Sequence, residues 1–417
     1  MMFMSKKNTF FSFFILLITF MSVSQWSIIP IGNTVIYWIF CFLTIFLLFH
    51  IKKKNFHPSN HKDYLIIFIY LIWMTIGCIR GILIADGYWE WKQLITGALA
   101  LSLPVFAYVF SIPKISHDVL HVWIKYAIPL FFLLFIWIIG TASYQFYLSP
   151  IFLIACFLPI IPKKWRYIFI LLLLLMLFAN LGARSQVLKS FFTLCMSACI
   201  LFHKFFANKI LKLLHWTFYI LPIILLFLGI SGQFNIFEDL SKNEGKIVER
   251  KMVNGQWVEE DLSADTRTFI YEEVISSAIR HNYIWFGRTP ARGNDSMSFG
   301  SYSAENLKTG KYERHSNEVC HPNIFTWLGL VGVILYSLIY LKSSYLAVYK
   351  SNNIYIKILG VFIAFRWAYG WVEDFNRFDI MNISLWMMIA MGFSEQFRDM
   401  TDRDFKIWIR SIFWKQR

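Results

Sequence analysis

The sequence predicts an all-α integral membrane protein of about twelve transmembrane helices with one large extracytoplasmic loop. Three observations lead there. Of 417 residues, 57% are hydrophobic and only 16% charged, which is not the composition of a soluble domain. Apolar runs of spanning length recur along the chain. Lysine and arginine collect between alternate runs, as orientation in a bilayer requires.

A spanning helix needs roughly 20 apolar residues. Such runs occupy 9–29, 34–50, 64–85, 93–112, 119–140, 148–162, 166–180, 187–206, 210–231, 324–341, 355–372 and 379–394. No alternating ten-residue segments appear, so a helical bundle is favoured over a barrel. The first run follows Lys6 and Lys7 as in a signal peptide, but it is long and no small-residue cleavage site follows; it reads as a retained span. Residues 1–231 form a bundle of about nine helices, 232–322 an extracytoplasmic loop, 323–395 a further bundle of about three helices, and 396–417 a basic tail.

A net charge of +15 might suggest nucleic acid. The basic residues instead sit between spans: Lys52, Lys53, Lys54 and Lys62; Lys163, Lys164 and Arg166; Lys204 and Lys209; Lys342, Lys350 and Lys357. The positive-inside rule puts these loops and both termini in the cytoplasm. Residues 232–322 then face outward, and their 11 Lys and Arg against 14 Asp and Glu give −3. Five cysteines fall in spans and Cys320 is alone in its loop, so no disulfide framework is expected.

Cations at the outer ends of spans need another explanation. Arg184, in Asn180-Leu-Gly-Ala-Arg184-Ser185-Gln186, is either a snorkelling interfacial arginine or a phosphate ligand whose guanidinium fork matches phosphate oxygens. Arg80, with Asp86 and Glu90 just beyond, is either paired structurally or functional. Glu373, Asp374, Arg377 and Asp379 form a third outer cluster, expected to be a structural network of alternating charges.

The loop carries two local signals. Asn254-Gly255 between partly alternating runs over 246–262 predicts a β-hairpin. Asp265 can cap a surface helix over 266–281, with Ile270, Val274, Ala278 and Ile279 on one face. After Trp285-Phe-Gly-Arg288 and Arg292 comes Tyr312-Glu-Arg314-His315-Ser-Asn317-Glu318-Val-Cys-His321-Pro-Asn323, directly before a span. Two histidines, an arginine and a glutamate at a membrane mouth supply a general base and anion ligands; a solvated linker with locally paired charges is the plainer alternative. His315 and His321 lack further ligands at a metal-binding spacing. An arginine-rimmed pocket opening into a bundle suits a substrate with an anionic head and a lipid tail.

Three stretches resemble the bacterial O-antigen ligases and the related polymerases of O-antigen and capsule repeat units. They are Gly182-Ala-Arg184-Ser185 after a very apolar span, Asp265-Thr-Arg267 followed by Phe286-Gly287, and Glu318 through Gly329-Leu-Val-Gly332. The resemblance covers roughly residues 165–395. It implies inverting glycosyl transfer, without metal or cofactor, from an undecaprenyl-pyrophosphate-linked glycan to a sugar hydroxyl at the outer face of the bacterial inner membrane. It makes Arg184 and Arg267 pyrophosphate ligands, with Arg288, Arg292, His315 and Asn323 beside them. Arg314, Glu318 and His321 become the catalytic candidates. Membrane lipids, a chain-length regulator and a flippase would be partners. Ligases carry a His-Asn pair eleven residues before the first glycine of Gly-x-x-Gly, where this chain has Glu318. That departure favours a polymerase over a ligase acting on lipid A-core, with Glu318 or His321 as base. A lipid-linked oligosaccharide flippase is the non-enzymatic alternative, though no repeat relates two halves.

Overall fold

The computed structural model describes residues 6–29, 31–180, 184–202, 208–230, 248–253, 256–261, 268–297 and 299–413. Helices α1 (Lys6–Met21), α2 (Thr34–Asn55), α3 (Leu65–Ile84), α4 (Tyr88–Leu101), α5 (Phe106–Phe110) and α6 (Pro113–Leu130) come first. They are followed by α7 (Tyr144–Leu148), α8 (Pro150–Ile154), α9 (Lys163–Phe178), α10 (Arg184–Leu201) and α11 (Asn208–Ile230). Strands β1 (Val248–Val253) and β2 (Gln256–Asp261), helix α12 (Thr268–Arg280) and strands β3 (Asn294–Asp295) and β4 (Glu313–Arg314) make up the loop region. Helices α13 (Cys320–Lys350), α14 (Ile354–Tyr369), α15 (Ile380–Phe393), α16 (Glu395–Asp399) and α17 (Asp402–Ser411) complete the chain.

The chain is an all-α membrane protein. Among the described residues seven helices are long and apolar enough to cross a bilayer, or eight if Thr141–Leu148 and Pro150–Ile160, bent by 62°, form one broken span. The other apolar runs give shorter helices. Pro150 and Pro159 break the 148–162 run, because proline lacks the amide a continuous helix needs. Helix α15 has 14 residues, all buried. At 1.5 Å per residue it is about 21 Å long, shorter than the hydrocarbon core, and it lies wrapped by α5, α7, α8, α13 and α14. By contrast α2 presents Phe42, Phe46 and Phe49 outward, and α11 presents Leu213, Ile220 and Phe227. Apolar side chains stand on the outside because the surrounding solvent is lipid.

Strands β1 and β2 pair antiparallel with Val253 opposite Gln256, while Asn254 and Gly255 lie outside the described residues. Helix α12 buries Ile270, Val274 and Ala278. Ile270 and Val274 pack against Val319 and Phe325 at the start of α13. Ile279 does not share that face and is 61% exposed, since it is rotated about 100° from Ala278.

The loop is fastened to the bundle by backbone. Gly329 interrupts α13 with φ 70° and ψ −172°, and Gly287, also at φ 70°, lies directly against it. The interruption leaves carbonyls free for new partners. Arg288 N donates to Thr326 O at 2.6 Å, Thr289 N to Trp327 O at 3.1 Å, and Leu330 N to Ile284 O at 2.8 Å. Trp73 Nε1 donates to Leu328 O at 3.0 Å. Arg80 clamps the crossing by donating to the carbonyls of Phe286 (2.7 Å) and Gly287 (3.1 Å), so its role is structural. At the other end of α13, Asp63 pairs with Lys342 (3.0 Å) and Arg398 (3.4 Å).

A Cβ at Gly329 would lie 2.3 Å from Trp285 O, and one at Gly287 would lie 2.5 Å from Gly329 N. Gly329→Ala is therefore expected to lower stability by about 2 kcal/mol or more, from the clash and the left-handed backbone together. Gly140→Ala, whose Cβ meets nothing within 4 Å, is the control. Thermal unfolding in detergent compares them, and an unchanged midpoint for Gly329→Ala would rule out the crossing as an anchor.

Candidate functional site

Strands β3 and β4 pair Asn294 with Arg314 and Asp295 with Glu313. Successive side chains on a strand point to opposite faces, so this short ribbon separates two environments. Glu313 and Asp295 face a cavity of about 610 Å³ under α12. Arg314 faces another of about 600 Å³ at the head of the bundle.

The second cavity gathers segments far apart in the chain: Ser185 at the start of α10, the strip Arg314–Glu318, and Glu373, Asp374 and Arg377 between α14 and α15. Trp327 and Phe146 add aromatic surface, and Gln93 and Gln145 add amides. Arg314 stacks over Phe299 at 4.2 Å and its Nη2 lies 3.6 Å from Glu318. Its Nη1 is buried with no hydrogen-bond partner among the described residues, an omission that costs about 1–3 kcal/mol unless a ligand fills it. Burial lowers the Arg314 pKa, opposed by Glu318 and Glu273. The Glu318 side chain is 63% exposed at the rim.

Asn323 knits the strip to the opposite wall. Its Oδ1 accepts from Asn317 N at 2.6 Å, and its Nδ2 donates to Asn317 O at 2.8 Å and to Asp374 Oδ1 at 3.1 Å. Asn376 donates to the same Asp374 oxygen from both its backbone N and its Nδ2, each at 2.9 Å, and from Nδ2 to Cys320 O at 3.0 Å. Burial raises the Asp374 carboxyl to about 6, with these hydrogen bonds and Arg377 opposing. Glu373 accepts from Ser185 Oγ and from Lys189 Nζ (2.6 Å) on one oxygen, while its Oε2 is buried without a partner. Lys189 is one helical turn below Ser185 and fully buried.

Arg288 and Arg292 are already paired. Arg292 grips Glu313 through Nε (3.0 Å) and Nη2, and Arg288 lies 3.1 Å from Glu313 and 3.0 Å from Asp295. Asp295 also accepts from His281 at 2.8 Å, and Lys311 and Arg292 reach Glu90. Burial alone would raise Glu313 and Asp295. Hydrogen bonds and the charges of Arg288, Arg292 and His281 outweigh it and hold both below the usual carboxylate range. Arg288 and Arg292 thus brace the ribbon and do not line the Arg314 cavity. This corrects the expectation that they neighbour a pyrophosphate, because bidentate carboxylates have taken their donors.

His321 needs a second correction as a candidate base. It is 2% exposed, its Nε2 lies 3.1 Å from Trp367 O, and its ring packs 4.4 Å from that of Trp371. A carbonyl only accepts, so Nε2 carries the proton; the helical turn aims the ring at α14, away from the cavity. His315 is half-buried, burial lowers its pKa, and its carbonyl accepts from Trp327 Nε1 at 3.1 Å. Arg184 opens α10 immediately before Ser185, whereas Arg267 lies outside the described residues. Among the described residues no cluster of three His, Cys, Asp or Glu is arranged to hold a metal.

The cluster at 373–379 neutralises itself only in part: the charge of Arg377 opposes the effect of burial on Asp374, but the hydrogen bonds of its members go to other groups. Arg377 donates to Gln25 Oε1 at 2.8 Å and stacks over Trp26, and Asp379 caps α15 through Asn382 N at 2.8 Å. Glu373 and Asp374 therefore turn to the cavity. Four charges within seven residues at a span end were the available signal; their partners, Lys189 and Asn323, belong to other helices.

Lys189→Met would leave the Glu373 carboxylate without its cation and is expected to cost about 3 kcal/mol or more, whereas Lys189→Met with Glu373→Met should recover most of that. Thermal unfolding of the two purified variants decides it; equal losses would mean that the pair is not coupled. No protein-family model, curated protein or solved structure matches this chain.

Proposed function

We propose that this chain is a glycosyltransferase of bacterial surface-polysaccharide assembly that polymerises undecaprenyl-pyrophosphate-linked O-antigen or capsule repeat units. One observation carries the reading. Ser185 at the start of α10 and the Arg314–Glu318 strip, far apart in sequence, line one cavity of about 600 Å³ at the head of an apolar bundle. A lipid tail can remain in the bilayer there while its charged head enters the cavity.

In the reaction, an acceptor sugar hydroxyl attacks the anomeric carbon from the face opposite the pyrophosphate. A new C–O bond forms, the bond from the anomeric carbon to the pyrophosphate oxygen breaks, and the electron pair leaves with the pyrophosphate. The hydroxyl proton passes to a cavity carboxylate, Glu318 being the one read from sequence. Arg314 offers the leaving group a donor that has no acceptor among the described residues, and the resemblance makes Arg184 a second ligand. The path of about twelve crossings, with both termini cytoplasmic and residues 232–322 periplasmic, belongs to this proposal. Amide and aromatic lining beside carboxylates suits hydroxyl-rich sugar better than a transport path, which calls for polar groups at mid-membrane.

Arg314→Ala and Arg184→Ala are expected to lower polymer yield about a hundredfold or more while the protein still inserts; normal long chains from both would refute the site. Deleting the gene separates the alternatives by glycan profile. A lipid anchor bearing one repeat marks a polymerase, unattached long polymer a ligase, and repeat units retained on the cytoplasmic face a flippase.

A further inference from the structure

Two carboxylates of the cavity differ in how they are held. Glu318 stands at the rim, mostly exposed, restrained by one ion pair of 3.6 Å. Asp374 is fixed from two elements: Asn323 on α13 and Asn376 in its own loop place three donors on Oδ1. All three of these donors fall on Oδ1, and Asp374 lines the cavity. We propose that Asp374, through Oδ2, is the catalytic base that takes the proton from the attacking sugar hydroxyl. This rests on the glycosyl-transfer reading and makes Glu318 a partner that orients Arg314.

The chemistry supports the assignment. A general base acts best when its orientation is set before the substrate arrives and when its pKa approaches the working pH. Asparagine donors fix the carboxylate, and the charge of Arg377 opposes but does not outweigh the burial that raises its basicity. The hydrogen bonds and ring contacts of the charged and titratable neighbours go to other groups. Arg377 turns to Gln25 and Trp26, Arg314 to Glu318 and Phe299, and Lys189 and Ser185 to Glu373, while the Cys320 thiol faces Asn376. Burial has brought Asp374 to about 6. The group is therefore ionised at neutral pH, and activity is lost as pH falls through that value. In the step itself the O–H bond breaks, its proton moves to Oδ2, and the hydroxyl oxygen keeps the electron pair with which it bonds to the anomeric carbon.

The test uses the full-length protein in lipid nanodiscs with lipid-linked repeat units extracted from its host, assayed between pH 5 and pH 8. The wild type is expected to lose about tenfold in rate per pH unit below its inflection. Asp374→Asn, which keeps the Oδ1 acceptor, should fall about a hundredfold or more and lose that acid limb. Its thermal midpoint should stay near that of the wild type. Asn376→Ala removes the Nδ2 donor to the ionised form, so its inflection should move toward higher pH, an effect that a purely structural role would not produce. Glu318→Gln should retain the wild-type inflection. An Asp374→Asn variant that keeps its rate and acid limb, or a Glu318→Gln variant that loses the limb, overturns Asp374 while leaving glycosyl transfer intact. Absence of transfer by the wild type overturns both.

Discussion

Gly287 and Gly329 meet backbone to backbone, and the arrangement of the loop over the bundle depends on that contact. A helix running unbroken through residue 329 would keep its own carbonyls satisfied and offer nothing to a passing strand. The left-handed turn at Gly329 frees the carbonyls of Thr326, Trp327 and Leu328, and the 284–289 segment, with Trp73, takes them up. Neither side could carry a Cβ, because the atoms opposite lie at 2.3–2.5 Å from where it would stand. A polar segment is thereby attached to an apolar bundle without leaving buried amides unpaired, which the low dielectric would penalise heavily.

From this anchor the geometry follows outward in both directions. Arg288 and Arg292 emerge just past the crossing and hold Glu313 and Asp295, so the ribbon of β3 and β4 stands as a wall. Upstream, α12 is pinned by Ile270 and Val274 against Val319. The wall places Arg314 on the bundle side, and Asn323 ties the same strip to the loop between α14 and α15. Paired charges on one face of the ribbon therefore permit an incompletely paired arginine on the other.

The bundle contributes what the loop cannot. Lys189, fully buried on α10, fixes Glu373, and Ser185 one turn above shares that carboxylate. A charge pair at such depth is costly to desolvate and stable only with close geometry. Both members come from segments that border the cavity, so packing of α10 against its neighbours and the shape of the cavity are one problem.

The membrane class, the apolar runs and the helix near 268–280 could all be read from the chain. Composition, periodicity and capping are local properties, and lipid as solvent leaves few alternatives. The partners of individual polar groups could not. His321 looked like a base because it is close to Glu318 in sequence, but helical rotation buried its ring against Trp371. Arg288 and Arg292 looked like anion ligands because their carboxylates lie elsewhere in the loop. Asp374 looked like one of four self-neutralising charges, yet its oxygen is held by Asn323 from another helix. Sequence determined which solvent each segment meets, because that depends on residues within a turn or two. Only the tertiary structure decided which carboxylates face the cavity, because hydrogen bonds and ion pairs act over a few ångströms between residues whose neighbourhood is set by packing.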